Sequence, residues 1–460
     1  MRGVLPEGIV RKMKLYNREI SETEENGRRI TLLSLAAPLL LENVLMQFYG
    51  TANTMLLQGY AEAAVTAVAV SESVVNVAIM LLTMIIKGSV ILTSVFLGKK
   101  QKEQAAQIAG TALMAVMAAA LCVSGALSLF APRWISLMNL TGATAVEAAR
   151  YLRIRGAGLL LTTLMSALNN LLIANGRSRS IIVAGVLSNV VNIGLCYTFL
   201  YTNIPLPVSG VEAVAVASVL SQLFGAVVAL LLFCKAKCPY QTCFRPKILG
   251  KILMLGIPGG MCNLSYTLCQ AITTGFTVQL GELVVNAKVY ISNIVIYTSR
   301  ISLAIGGATG ILAGRYRGAG WIDKIRRLYR QNVRLAVLCN MTLSALVFLL
   351  CRPLLSLFTD QQQIVAIAMP ILLLDIMVEG ARAVNHITEN ALNANGDVRS
   401  TLILSTTASW LFSVALAYLL GIVCQLGLMG IWLGFAAEEA FKALAYSWCW
   451  KREGWLKRKL

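Results

Sequence analysis

Five ionisable residues stand in register in the last third of the chain: Asp375, Glu379, Arg382, His386 and Glu389, at spacings of four, three, four and three. At about 100° per residue, those spacings put all five side chains on one face of a helix. The flanking sequence is apolar, so this helix belongs in a membrane, where a charged side chain costs at least about 2.5–3.5 kcal/mol. The stripe must therefore face protein or water. Two chemistries fit it. Asp375 and Glu379 bind a proton or a cation while Arg382 tunes them, or Glu379 and Arg382 form a structural ion pair one turn apart. Glu389 falls near the helix end, within reach of solvent. His386 is the only histidine. It can relay protons or serve as a hydrogen-bonding member of the stripe, and alone it cannot build a metal site.

Other polar groups sit in apolar surroundings earlier in the chain. Glu42, Tyr49 and Asn53 share a helical face at spacings of seven and four, and Pro38 precedes Glu42 by four. A proline there removes a backbone hydrogen bond and favours a kink; Pro258 does the same in a later segment. Glu42 is either an ion-coupling carboxylate or a shallow, solvated one. Glu72 lies among Ser71, Ser73 and Asn76 and is a candidate for lining the same cavity. Lys87 and Arg300 can neutralise acids, bind an anionic group or snorkel. Asn189 and Asn192 fit a packed, hydrogen-bonded helix, or offer neutral oxygens to sodium. Glu438, Glu439 and Lys442 cluster in the last segment, where structural pairing is expected. Cys234, Cys238 and Cys243 are unevenly spaced with no nearby histidine, so no metal site is expected. The candidates for binding substrate or ion are thus Glu42, Asn53, Glu72, Asn192, Asp375, Glu379 and Arg382, with Pro38 and Pro258 as conformational residues.

The elements that position these groups follow from composition. The chain has 460 residues, 57% hydrophobic and only 13% charged. A soluble domain carries about 25% charge. Disorder needs low hydrophobicity, and a transmembrane barrel gives no long apolar runs. An all-α polytopic membrane protein remains. Twelve apolar segments are long enough to cross about 30 Å: 31–57, 63–95, 105–130, 147–174, 180–202, 209–234, 250–280, 284–312, 331–353, 364–392, 400–423 and 427–450. The charged first 30 residues are no signal peptide. One alternate set of loops, with both tails, holds most of the lysines and arginines. The positive-inside rule places that set and both termini in the cytoplasm. The net charge of +19 then reflects topology rather than nucleic-acid binding.

The chain also repeats itself at an offset of 220 residues. Pro38 and Asn43 recur as Pro258 and Asn263, Asn170 as Asn390, Ala174-Asn175-Gly176 as Ala394-Asn395-Gly396, and Gly210 as Gly430. Each half holds six segments. An even number makes both halves enter from the same side, related by a pseudo-two-fold along the membrane normal, with substrate between them. The expected organisation is a cytoplasmic tail at 1–30, an N-lobe at 31–234, a linker at 235–249, a C-lobe at 250–450 and a basic tail at 451–460. Nothing supports an enzyme: there is one histidine, no nucleophile with a base and no phosphate-cradling loop.

In order and spacing these segments resemble the multidrug and toxic compound extrusion (MATE) family, part of the MOP flippase superfamily. "AAPLLLENVLMQFYGTANTMLLQGYAEAAVTAV" is similar to that family's proline-containing first helix. "NGRSRSIIVAGVLSNVVNI" and "GVEAVAVASVLSQ" resemble its fifth and sixth helices, and "GRYRGAGWIDKIRRL" its inner loop after the eighth. "NANGDVRSTLILSTTASWLFSVALAYLLG" and "GLMGIWLGFA" resemble its eleventh and twelfth. The resemblance implies a plasma-membrane exporter of small organic, often cationic, compounds, working by alternating access and antiport against H+ or Na+. It implies no cofactor beyond that ion and no nucleic-acid partner, and the expected functional unit is a monomer in the lipid bilayer. An alternative within the same two-lobe fold is a flippase or exporter of an anionic or lipid-linked substrate, served by Lys87, Arg300 and Arg382. Family carboxylates do not carry over: Asn53, Cys196, Tyr266 and Arg382 stand where members have acids.

Overall fold

The computed structural model describes residues 24–25, 28–60, 62–138, 140, 142–201, 210–356 and 361–458. The side chains of several residues inside these ranges, Tyr49 and Asn53 among them, lie outside the description. Helices dominate: α1 (Leu32–Tyr60), α2 (Glu62–Gly98) and α3 (Lys102–Leu129) come first. The fourth, α4, has two arms, Gly142–Ala157 and Leu159–Ala174, bent by 43°. Then follow α5 (Ser178–Tyr201), α6 (Val211–Lys235), α7 (Pro246–Gln279), α8 (Glu282–Gly318), α9 (Ile322–Leu349) and α10 (Gln362–Ala394). The eleventh, α11, starts as an α-helix at Val398–Ala408 and continues as π-helical turns at Ser409–Leu416 and Leu419–Val423; α12 is Gly427–Lys451. Among the described residues the strands are a two-residue ladder, Glu24–Glu25 against Arg28–Arg29.

Nine of the described helices are long and apolar enough to cross a membrane, and ten if the two arms of α4 form one span. The twelve crossings expected from sequence exceed this by α1 and α12. In α12 the cause is visible: Glu438, Glu439 and Lys442 are all buried in its middle. Such a helix fails a test of apolarity while keeping its charges away from lipid.

Two compact units form. One spans Leu41–Gly260; the other takes the described part of Met1–Leu40 together with Met261–Leu460. Both division points fall inside proline-containing helices, two residues beyond Pro38 in α1 and two beyond Pro258 in α7. The division therefore repeats the 220-residue offset. The local geometry repeats as well. Gly176 and Gly396 take φ of +75° and +87°, the left-handed region where a helix ends most easily on glycine. The following amides, of Arg177 and Asp397, donate to Leu172 and Leu392 at 2.8 and 3.0 Å. Asn175 and Asn395 each donate from the side chain to the carbonyl four residues back.

In the Leu41–Gly260 unit, α2 packs on α3, on both arms of α4 and on the first part of α7. The approach to α7 depends on glycine. A Cβ on Gly88 would lie 2.0 Å from the Ile252 carbonyl oxygen, and one on Gly256 would lie 1.8 Å from that of Met84. Backbone cannot yield as a side-chain tip does. Gly88→Ala is expected to cost about 1–3 kcal/mol and to lower the thermal midpoint. Gly185→Ala, with nothing within 4 Å of the added carbon, should be neutral or mildly stabilising. Equal midpoints for the two variants would contradict the packing. The segment after α6 lies along the start of α3: the Gln241 amide donates to Ala106 at 3.2 Å, and the Thr111 hydroxyl to Cys243 at 3.3 Å.

Candidate functional site

The Met261–Leu460 part of the second unit holds a buried network of charges on α10 and α12. Asp375, Glu379, Glu438 and Glu439 are 1, 0, 1 and 7% exposed. Glu379 bonds the Arg382 guanidinium one turn along α10 and accepts from the Asn340 amide of α9 at 2.9 Å. Arg382 reaches on to Glu439 of α12 at 3.2 Å, and Asn385 donates to the same carboxylate at 2.7 Å. The Trp432 indole of α12 donates to Asp375 Oδ1 at 3.3 Å. Asp375 Oδ2 is buried and makes no hydrogen bond among the described residues.

Beside this runs a second chain of contacts. Lys442 forms an ion pair with Glu438 four residues back on α12. Glu438 also accepts from Ser409, at 2.5 Å, and from Ser413. Both serines lie in the first π-helical stretch of α11. Its i→i+5 bonds widen the turn, a feature common at functional sites. Here the widened turn presents two hydroxyls to one carboxylate.

The stripe read from sequence is thus real as far as Asp375, Glu379 and Arg382. His386 is half-buried, and Glu389 is half-buried near the end of α10. Glu438, Glu439 and Lys442, expected to pair structurally, are all in ion pairs. Glu438 takes Lys442, but Glu439 points to α10 and takes Arg382. Neighbours in sequence diverge because side chains at i and i+1 lie about 100° apart on a helix.

The other candidates are not brought to this network. Glu72 of α2 accepts from Arg155 Nε and from the Tyr151 hydroxyl, both at 2.8 Å, across to the first arm of α4. Arg155 in turn donates to Gln222 of α6 at 3.1 Å and to Thr162 at 3.2 Å. Arg155, 7% exposed, is a functional candidate that the sequence analysis did not single out. Asn192 of α5 donates to Ser218 and Ser221 of α6 at 3.3 and 3.1 Å, and its oxygen faces the Cys196 thiol at 3.5 Å. That is the packing alternative in detail. Glu42 is half-buried in α1, four residues past Pro38. The Asn53 side chain lies outside the described residues. Lys87 is exposed on α2 and Arg300 half-buried on α8. Lys288, 8% exposed and bonded to Thr274 at 3.0 Å, was missed altogether.

The sequence model of the MatE family matches residues 38–198 and again 258–419. The chain belongs to the MATE family. The two matches begin 220 residues apart, the interval of the internal repeat. Among curated relatives, the uncharacterized transporter YisQ of Bacillus subtilis is 28% identical, covering 94% of this chain and 96% of its own. The probable multidrug resistance protein NorM of Thermotoga maritima is 24% identical, with 94% of each chain covered. Among solved structures, a MOP superfamily transporter from Pyrococcus furiosus superposes with a TM-score of 0.85 at 21% identity, covering 93 and 96% of the two chains; it is described by the reverse polarity of its binding pocket. A multidrug resistance MATE transporter in its outward-facing conformation gives 0.83 at 22%, covering 92 and 95%. At that identity the likeness speaks for the fold. As a member of the MATE family the chain is a multi-pass membrane transporter rather than an enzyme, and it needs no cofactor.

Proposed function

We propose that this MATE transporter exports small organic, drug-like compounds, cationic ones foremost, by antiport through alternating access in the plasma membrane. The observation that carries the reading is the charge imbalance of the buried network. Four carboxylates face two cations, Arg382 and Lys442, among the described residues. A desolvated excess of acid is costly unless a cation or proton joins it. The groups around the carboxylates are donors: indole, amide, guanidinium, ammonium and hydroxyl. A sodium site needs converging oxygens instead. This supports a proton as the coupling ion, with Asp375 and Glu379 as its carriers. Names of relatives such as the NorM proteins support the multidrug cargo.

In this reading the chain crosses the bilayer twelve times, with both termini cytoplasmic. Lobes 31–234 and 250–450 rock about a substrate held between them, hinged at Pro38 and Pro258, and a monomer suffices. Glu42, Asn53 and Glu72 belong to the N-lobe side of the pathway, and Asn192 holds α5 to α6 behind it. The test is ethidium efflux from proteoliposomes, with proton and sodium gradients imposed separately. Efflux driven by the proton gradient alone is expected. Efflux driven by sodium alone would overturn the choice of ion. No efflux under either gradient, in folded protein, would overturn the cationic cargo and favour an anionic or lipid-linked one.

A further inference from the structure

α7 carries two exposed faces of opposite character. Asn263, Tyr266, Thr267, Gln270 and Thr274 recur at helical spacing, and at about 100° per residue they fall within one arc of about 100°. Asn263, Thr267 and Thr274 are exposed and Gln270 is half-buried. Met261, Leu268 and Val278, 47, 48 and 60% exposed, fall in the adjoining arc. A helix in a bilayer turns its apolar arc to lipid. Exposed amides are costly there, so the polar arc faces water.

Tyr266 stands on the border between the polar arc and the buried face, which Cys269 and Thr273 mark at 1 and 0% exposed. It lies near the middle of the 34 residues of α7 and is 40% exposed. Its hydroxyl makes no hydrogen bond among the described residues. The ring is backed by the buried charge network: the Lys442 ammonium lies over it, 5.9 Å from the centroid. Lys442 is itself balanced by Glu438, and Arg382 is shared between Glu379 and Glu439. With Asp375, four carboxylates stand against two cations, so the unprotonated network holds an excess of negative charge behind the ring. Its field favours a positive ligand on the open side.

We propose that the open side of Tyr266 is a docking platform for the cargo, and that it selects flat aromatic cations over non-aromatic cations of similar size and equal charge. The proposal rests on the reading of the chain as an exporter of organic cations and names the shape that it prefers. A flat cation stacks on the phenol ring, where the ring quadrupole adds electrostatic attraction to dispersion. Asn263 and Gln270 lie one turn to either side of Tyr266 on the same arc, in place to take hydrogen bonds from the ligand.

The experiment is calorimetric titration of the full-length chain in detergent with two cations, N-methylquinolinium and its saturated counterpart N,N-dimethyldecahydroquinolinium. The saturated ion is the more apolar, so burial of area alone would favour it. Wild type is expected to bind the flat ion roughly tenfold more tightly. Tyr266→Leu should lose that preference, with the loss falling on the flat ion alone, while Tyr266→Phe should keep most of it. Tyr240→Leu, at an equally exposed tyrosine in the segment after α6, should leave it unchanged. Equal affinity for the two ions in the wild type, a comparison that needs no variant, would overturn the proposal. So would an unchanged preference in Tyr266→Leu. Either result leaves cationic cargo standing, whereas a wild-type chain that binds neither ion would overturn both readings.

Discussion

Replacing Asp375 by Asn and Glu379 by Gln together is expected to reduce gradient-driven efflux at least a hundredfold while leaving the chain folded. The fold should survive because each replacement keeps shape and hydrogen-bonding groups. A glutamine in place of Glu379 can still accept from Asn340, and Arg382 keeps Glu439 as a partner. An asparagine in place of Asp375 can still accept from Trp432. What is lost is the pair of titrating sites. Antiport is reciprocal coupling, in which the ion shifts substrate affinity and substrate shifts ion affinity by the same factor. A protein with both carboxyls neutral has one ionic state, so an imposed gradient has nothing to act on. Exchange of internal for external substrate, with no gradient, should persist within a few-fold. Loss of both activities would point to a structural role instead. Undiminished gradient-driven efflux in the double variant would remove Asp375 and Glu379 from the mechanism.

Much of this site was legible because one helix carries its own ruler. Asp375, Glu379 and Arg382 recur with helical period in a segment otherwise free of charge, and a sequence displays period directly. The 220-residue repeat was legible for the same reason, and Gly176 and Gly396 repeat in φ as well as in identity. Partners on other helices were not legible. Nothing in the spacing of Asn340, Trp432 or Glu439 says which of them meets α10, because that depends on the rotation of α9 and α12 about their axes. The π-helical turns of α11 have no residue signature in Ser409–Leu416 either. Ser409 and Ser413, four residues apart, would share a face on an ordinary α-helix too, so their common carboxylate Glu438 does not dictate the wider turns. Arg155 was hidden by its neighbours Arg150 and Arg153, both exposed. All three lie on the first arm of α4, and helical phase alone turns Arg155 away from the other two and inward to Glu72.

The internal repeat also sets up the second large effect. Position 382 corresponds to Thr162 in the first half, and position 442 to Gln222. In the first half these two neutral residues hydrogen-bond each other. In the second half the same two places hold Arg382 and Lys442, each facing carboxylates that the first half lacks at the matching positions. Arg382 is therefore not required by the architecture; it is required by Glu379 and Glu439. Arg382→Met is expected to destabilise the chain by about 3–5 kcal/mol, because it leaves two buried carboxylates without their shared cation. A lower thermal midpoint and loss of the monodisperse peak in size-exclusion chromatography would report it. Adding Glu379→Gln and Glu439→Gln should recover most of that stability, since the neutral set resembles what the first half already packs. Recovery of stability without recovery of driven efflux would separate the two duties of the network, holding α10 to α12 and carrying charge. If Arg382→Met alone were as stable as wild type, the two carboxylates would have to be neutral already, and Arg382 would be free to serve another ligand.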